Sequence, residues 1–450
     1  LKAVKDGEIE ESLVDEKVRN ILRMMLRLKM IGPEKKHRKT GAYNTEEHRR
    51  AVLDVARESM ILLKNEDQVL PLQAESGCKV AVIGANAAAI HSNGGGSAEI
   101  KALYEISPLM GIKKLLGGNV KVSYAPGYVI PDKKEASEIN WQAASTETAE
   151  DTEKESTVSG RTLDEKQQEA LAEAVALAKA SDIVIFVGGL NHDFDVEGPD
   201  RVNMKLPYGQ DEVIDALLKA VPDTVVCMYA GAPVEMPWAE KAKAILWSYY
   251  AGMEGGTALA EILSGKVNPS GKLAETFIRD ASQCPAHTIG TFGKKDRVEY
   301  REGVMVGYRY YDTKKTDVLF PFGHGLSYTA FTYNDLEIIR QQENGRQTVK
   351  VSCSVTNTGE HAGKETVQIY VAPEQKKDRP VHELKAFEKV RLDAGETKRI
   401  CVILEERDFS RYDTDKKMPV PVNGTYEIQV GASSTDICLC GKIDLFFAEG

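Results

Sequence analysis

The sequence lacks the features of a membrane protein, a disulfide-rich secreted domain or a nucleic-acid-binding protein. No apolar run reaches the roughly 20 residues that a membrane-spanning helix needs, and residues 1–4 do not form a signal peptide. The seven cysteines include no Cys-x-x-Cys pair, which predicts reduced thiols and favours the cytoplasm. Lysine and arginine (58) are outnumbered by aspartate and glutamate (68), so we expect no nucleic-acid partner.

The 450 residues suffice for two or three domains, and their pattern changes twice along the chain. Between residues 13 and 30, apolar side chains recur at helical spacing, which predicts one amphipathic helix. Gly32-Pro33 then indicates a helix stop, and a polar linker follows to Gly41. A lone amphipathic helix cannot bury its own apolar stripe, and the chain starts without Met, so we expect it to be the later part of a longer polypeptide.

From about residue 46 to 280, helical patterns alternate with short β-branched runs, which predicts an α/β fold with a largely parallel sheet. We expect exposed loop structure at 131–162, because this stretch is rich in Glu, Ser and Thr without apolar periodicity. The predicted strands are Val80–Ile83, Val120–Tyr124, Ile183–Val187, Thr224–Tyr229 and Ala244–Trp247, and the predicted helices are Glu46–Leu63, Leu163–Ala180, Asp211–Ala220 and Gly256–Leu263.

After Phe331 the pattern becomes one of alternating strands with turn signals such as Asn423-Gly424. About 120 residues of this kind predict a two-sheet, all-β sandwich. The fold class is therefore a three-layer α/β sandwich with a largely parallel sheet, followed by an all-β sandwich. The predicted strands of this part are Thr348–Val355, Thr366–Val371, Arg399–Leu404 and Tyr426–Val430.

The candidate site is the acidic loop that follows the predicted strand Ile183–Val187, since ligands bind beyond the carboxyl ends of parallel strands. Its polar residues are His192, Asp193, Asp195, Glu197 and Asp200. From the residues alone, a solvated acidic loop turned by Gly198-Pro199 is the favoured interpretation of this stretch. A calcium loop is disfavoured, because the twelfth position counted from Asp193 is Met204 rather than Glu. No histidine spacing suits zinc, and no Gly-x-Gly-x-x-Gly supports a nucleotide site.

Several short motifs, taken in order, resemble the C-terminal half of glycoside hydrolase family 3. They include Ala56-Arg57-Glu58-Ser59, Gly94-Gly95-Gly96-Ser97-Ala98, Glu197-Gly198-Pro199-Asp200-Arg201, Tyr250–Gly256, Asn268–Leu273 and Phe320–Thr329. The resemblance implies three parts: the last helix of a truncated (β/α)8 barrel plus linker (1–40), the family's α/β sandwich domain (41–330) and a fibronectin type III-like sandwich (331–450).

The resemblance also implies a function. In the family's β-glucosidases the general acid/base is a Glu in the α/β domain, and Glu197 matches it, although Pro199 replaces the usual aromatic residue. The nucleophile is an Asp in a Ser-Asp-Trp-like setting on the barrel, and no Trp of this chain follows an Asp. The implied protein is a retaining hydrolase of terminal β-glucosides or related sugars, such as xylosides, without metal or organic cofactor and inactive without its barrel.

Four further points stay open from the sequence alone. The glycine-rich segment Gly94–Gly96 is either a flexible turn or a loop beside the active-site mouth. The aromatic residues between Tyr300 and Tyr311 either contact sugar or, as the sequence favours, pack the junction with the sandwich. A different class of function, a non-catalytic carbohydrate-binding or interaction module, also fits a chain without the nucleophile, and homo-oligomerisation is undecided.

Overall fold

The computed structural model describes residues 2–37, 41–131, 163–293, 297–343, 346–374 and 379–447. Most of the stretch predicted as an exposed loop, 132–162, lies outside the described residues. The chain forms two compact units, Leu1–Arg49 and Arg50–Gly450. The first contains α1 (Lys2–Lys5) and α2 (Glu11–Arg27), which confirms the predicted amphipathic helix. No residue of α2 is buried.

The α/β part of the second unit contains a six-stranded sheet between two layers of helices, as the sequence predicts. The strand order is β1-β6-β5-β4-β2-β3, and every pairing except that of β1 with β6 is parallel. The strands are β1 (Ile61–Asn65), β2 (Lys79–Ile83), β3 (Lys121–Ala125), β4 (Ile183–Gly189), β5 (Val225–Tyr229) and β6 (Ala244–Trp247). The helices of this part are α3 (Glu46–Ser59), α4 (Ala85–Ala88), α5 (Pro108–Leu116), α6 (Leu163–Lys179), α7 (Gln210–Ala220), α8 (Gly255–Leu263), α9 (Pro285–Thr288) and α10 (Tyr308–Lys314).

Both faces of the sheet are buried, because successive side chains of each strand enter opposite cores. On β4, Val184 and Phe186 belong to one apolar cluster, together with Leu217 of α7. Ile185 and Val187 belong to the other cluster, together with Leu259 of α8. This arrangement explains why the strands read as short, continuous apolar runs.

One predicted element is wrong. The helix expected from Glu46 to Leu63 ends at Ser59, and Ile61–Asn65 forms the edge strand β1, antiparallel to β6. Ile61, Leu62 and Leu63 are all buried, with Ile61 and Leu63 in one core and Leu62 in the other. Three consecutive buried residues suit a strand that is covered on both faces, whereas an amphipathic helix would expose one of them.

The last part is an antiparallel β-sandwich, as predicted. A four-stranded sheet (β10-β9-β14-β15) and a three-stranded sheet (β11-β8-β7) enclose one apolar core, and β12 pairs with β13. The strands are β7 (Phe331–Glu343), β8 (Arg346–Asn357), β9 (Gly363–Pro373), β10 (Glu383–Leu392), β11 (Thr397–Leu404), β12 (Ser410–Asp413), β13 (Met418–Pro421), β14 (Gly424–Gly431) and β15 (Ile437–Leu445).

Candidate active site

Glu197 lies in the loop beyond the carboxyl end of β4, a strand in the interior of the parallel sheet. Its side chain is exposed, and its Oε2 accepts a hydrogen bond of 3.2 Å from the backbone N–H of Ser97. Ser97 belongs to the loop that follows β2, the neighbour of β4. The structure therefore brings together two segments that the sequence identifies separately, the acidic loop and the glycine-rich loop.

The two loops also make backbone contacts. Gly95 donates its N–H to the carbonyl oxygen of Asp195 at 2.9 Å, and Gly95 and Val196 form a parallel β-bridge. Gly95 is buried although both loops lie at the surface. The glycine-rich segment therefore packs against the acidic loop that contains Glu197, and its place beside an active-site mouth stays a prediction.

A third loop reaches the same place from β5. The Asp195 carboxylate accepts a hydrogen bond of 2.5 Å from the backbone N–H of Gly231, two residues beyond the end of β5. The loops after β2, β4 and β5 thus converge at the carboxyl edge of the sheet, where an α/β fold binds its ligands. The sequence does not indicate the contacts of Ser97 and Gly231, because each contributes only a backbone N–H.

Two histidines and a tyrosine lie close together near the acidic loop. The ring of His91 lies 5.8 Å from that of His192 and 6.4 Å from that of Tyr250, measured between centroids. Burial lowers the pKa of His91 to about 4, so its imidazole is neutral at pH 7. His192 Nε2 lies 2.8 Å from the carbonyl oxygen of Asn93, which requires a proton on that nitrogen. Burial, and next the nearby Asp195 carboxylate, raise the pKa of the Tyr250 phenol, which is therefore neutral as well.

Arg201 brings positive charge to the same region. Its Nη2 donates a hydrogen bond of 3.0 Å to the carbonyl oxygen of Pro233. Burial raises the pKa of the Glu275 carboxyl, and the charge of Arg201 opposes that rise. His91 and Tyr250, both neutral, and the cation Arg201 therefore lie near the acidic loop, in which the Asp195 carboxylate accepts a hydrogen bond from a backbone donor.

The aromatic segment between Tyr300 and Tyr311 contains both packed and exposed side chains. Tyr308 stacks on Phe322 at 4.5 Å, and its hydroxyl accepts a hydrogen bond of 2.7 Å from the backbone N–H of Leu384 on β10. Tyr308 therefore packs the junction with the sandwich, as the sequence favours. Tyr300, in contrast, is 81% exposed.

Within the ranges given above, no group of three or more His, Cys, Asp or Glu side chains is arranged to hold a metal ion. None of the helices seen there has the length and apolar character to cross a membrane.

Sequence families match two regions of the chain. The family described as glycosyl hydrolase family 3 C-terminal domain matches residues 60–328, and the family described as fibronectin type III-like domain matches residues 365–434. The first match covers all six strands of the sheet and the loops after β2, β4 and β5.

Two curated proteins are similar over nearly the whole chain. Thermostable β-glucosidase B of Acetivibrio thermocellus is 38% identical over 98% of this chain and 53% of its own length. A β-glucosidase of Bacteroides ovatus is 38% identical over 97% of this chain and 56% of its own length. The chain thus spans about half the length of these relatives.

Solved structures agree with these matches. A family 3 β-glucosidase of Bifidobacterium adolescentis superposes with a TM-score of 0.79 at 33% identity, covering 99% of this chain and 59% of that one. β-Glucosidase 3B of Thermotoga neapolitana, solved with α-D-glucose, superposes with a TM-score of 0.76 at 31% identity, covering 98% of this chain and 60% of that one.

Proposed function

The chain belongs to glycoside hydrolase family 3, and from this premise we propose that it is the C-terminal part of a retaining β-glucosidase in which Glu197 is the general acid/base. The observation that supports this most is that the loops after β2 and β5 both bond to the acidic loop that contains Glu197, at the carboxyl edge of the sheet. The substrate class is terminal β-linked glucose, because the similar curated proteins are β-glucosidases.

The proposed chemistry needs two carboxyl groups about 5 to 5.5 Å apart on either side of the anomeric carbon. In the first step, protonated Glu197 gives its proton to the leaving oxygen while a nucleophilic carboxylate bonds to the anomeric carbon. In the second step, ionised Glu197 takes a proton from the water that releases the sugar. An exposed Glu at the edge of the sheet is accessible to a substrate held against this surface.

We further propose that the nucleophile belongs to a barrel domain of the same polypeptide. Three observations support this: the chain spans about half of its relatives, α2 buries none of its residues, and no Asp precedes a Trp. The proposed parts are barrel helix and linker (1–40), α/β domain (41–330) and fibronectin type III-like sandwich (331–450). Both family matches fall inside the last two ranges.

The first test is hydrolysis of 4-nitrophenyl β-glucoside by the purified 450-residue chain beside a Glu197→Gln variant. We expect no turnover above that variant, because the nucleophile lies elsewhere. Turnover that Glu197→Gln abolishes would show that the chain already holds a complete site.

The second test fuses the chain to the barrel of a family 3 β-glucosidase. We expect the fusion to hydrolyse the same substrate, Glu197→Gln to lose most of this activity, and Glu173→Gln, an exposed glutamate on α6, to keep it. A folded fusion that binds glucose but hydrolyses nothing would instead support a non-catalytic carbohydrate-binding module.

A further inference from the structure

The segment Gly94–Ser97, hereafter the glycine loop, makes its contacts with the acidic loop through backbone groups. Gly95 N–H bonds the Asp195 carbonyl oxygen at 2.9 Å, Gly95 pairs with Val196 in a β-bridge, and Ser97 N–H bonds Glu197 Oε2 at 3.2 Å. A glutamate side chain at the surface otherwise samples several rotamers. The Ser97 donor selects those rotamers that direct Oε2 toward the glycine loop.

The fit between the loops leaves no room for a side chain at Gly96. A Cβ at this position would lie 2.9 Å from Glu197 Cβ and 3.0 Å from Glu197 N. Gly96 also has φ +75, a conformation that other residues rarely adopt. A methyl group there has to displace Glu197 or the glycine loop itself.

The acidic loop is fixed from its other side as well. Two residues before Glu197, the Asp195 carboxylate bonds Gly231 N–H at 2.5 Å, and Asp195 uses its backbone carbonyl for Gly95. Asp195 therefore connects the loops after β2 and β5. Asp195 and Val196 are therefore held by the loops after β5 and β2, which fixes the backbone that leads into Glu197, and the Ser97 N–H then orients the Glu197 side chain.

We propose that the glycine loop and Asp195 are positioning elements for the proton transfer by Glu197, an inference that rests on the proposed function. Ser97 N–H occupies Oε2, so the other carboxyl oxygen, Oε1, carries the transferred proton. In the first step the Oε1–H bond breaks as the leaving oxygen takes the proton, while the electron pair of the cleaved glycosidic bond goes to that oxygen. In the second step Oε1 takes a proton from water.

The contact itself can be tested on the 450-residue chain by NMR with ¹⁵N-labelled serine. An amide proton that is hydrogen-bonded to a carboxylate shifts when the carboxylate is protonated. We expect the Ser97 resonance to move with pH in the wild type and to lose this titration in Glu197→Gln and in Gly96→Ala. The matched control is Gly118→Ala, because Gly118 has φ +88 but nothing within 4 Å of an added Cβ.

Gly118→Ala should keep the Ser97 titration, and the other serine resonances should show that every variant is folded. The inference is overturned if the wild-type Ser97 resonance shows no titration that Glu197→Gln removes, or if Gly96→Ala retains it.

The catalytic consequence is measured in the barrel fusion with two substrates. Phenyl β-glucoside needs a proton on its leaving oxygen, whereas 2,4-dinitrophenyl β-glucoside does not. We expect Gly96→Ala to lower kcat/KM about 100-fold for the phenyl substrate and less than about 3-fold for the dinitrophenyl substrate. Gly118→Ala should lower neither.

Equal losses on both substrates in Gly96→Ala would mean that the glycine loop has only a structural role. The proposed function and the positioning role can be distinguished, because Glu197→Gln is measured beside Gly96→Ala. If Glu197→Gln also affects both substrates equally, the proposed function fails; if only Gly96→Ala does, the positioning role fails.

Discussion

Asp211 is a half-buried acid whose ionisation opposes folding. It lies in the first turn of α7, and its carboxylate accepts a hydrogen bond of 2.8 Å from Trp238 Nε1. Burial raises the pKa of Asp211 to about 6 from the ordinary 3.8, although the indole donor opposes the rise. Between these two values the folded chain binds the proton more tightly than the unfolded chain. The contribution of Asp211 to stability therefore falls as pH rises through this interval.

We expect Asp211→Asn to remove this pH dependence while keeping an oxygen for Trp238. Between about pH 4 and pH 6, the free energy of unfolding of the variant should rise relative to that of the wild type. The relative rise should be on the order of 1 kcal/mol, a value that allows for screening by the solvent around this half-exposed group. Urea denaturation across this range measures the difference.

Asp215→Asn is the control on the same helix. Hydrogen bonds from Lys219 and Lys241 lower the pKa of Asp215, so its replacement should bring no gain as pH rises. A difference between Asp211→Asn and wild type that does not change with pH would contradict the account.

Among single residues, the sequence predicted that Glu197 lies in the loop after β4, but it did not predict the backbone groups that contact this loop. Glu197 is identified by a motif of side chains. Ser97, Gly95 and Gly231 act through backbone N–H groups, which every residue except proline has, so their residue types do not indicate these contacts, even where a motif includes Gly95 and Ser97. The approach of His91 to His192 likewise depends on the register of β2 against β4.

Among the secondary-structure elements, α5 and α8 approach unusually closely. A Cβ at Gly111 on α5 would lie 2.0 Å from the carbonyl oxygen of Gly256 on α8. Alanine is the better helix former by about 1 kcal/mol, but here the methyl group has no space. We expect Gly111→Ala to lower the free energy of unfolding by about 1–3 kcal/mol.

Urea denaturation of Gly111→Ala beside Met110→Ala checks this prediction. Met110 lies on the same helix and is 52% exposed, so its replacement should change stability by less than about 0.5 kcal/mol. A stabilised Gly111→Ala would show that the helices separate easily.

The motifs that indicated the family include residues that join the α/β part to the sandwich. Glu58 at the end of α3 pairs with Lys364 on β9 and, at 2.5 Å, with Lys389 on β10. Lys272 pairs with Glu365 at 3.0 Å, and both side chains are almost fully buried. The sequence could not show this role, because the partners lie about 90 to 330 residues apart.

For the whole molecule, the class and order of the layers could be predicted because the period of apolar residues changes from helical to alternating along the chain. The edge strand β1 could not be predicted, because the apolar residues Ile61–Leu63 continue the apolar pattern of α3. Only their pairing with β6 makes these residues a strand. The strands β7, β10 and β15 were not predicted either. On β10 most side chains are half-buried or exposed, so the apolar alternation is weak.

The central claim is that this chain supplies the general acid/base of a family 3 β-glucosidase through Glu197. The most direct measurement is kcat/KM of the barrel fusion and its Glu197→Gln variant on phenyl and 2,4-dinitrophenyl β-glucosides. We expect kcat/KM of Glu197→Gln to fall about 1,000-fold for the phenyl substrate and less than about 10-fold for the dinitrophenyl substrate, because only the first leaving group needs a proton. Equal losses on both substrates would contradict the central claim.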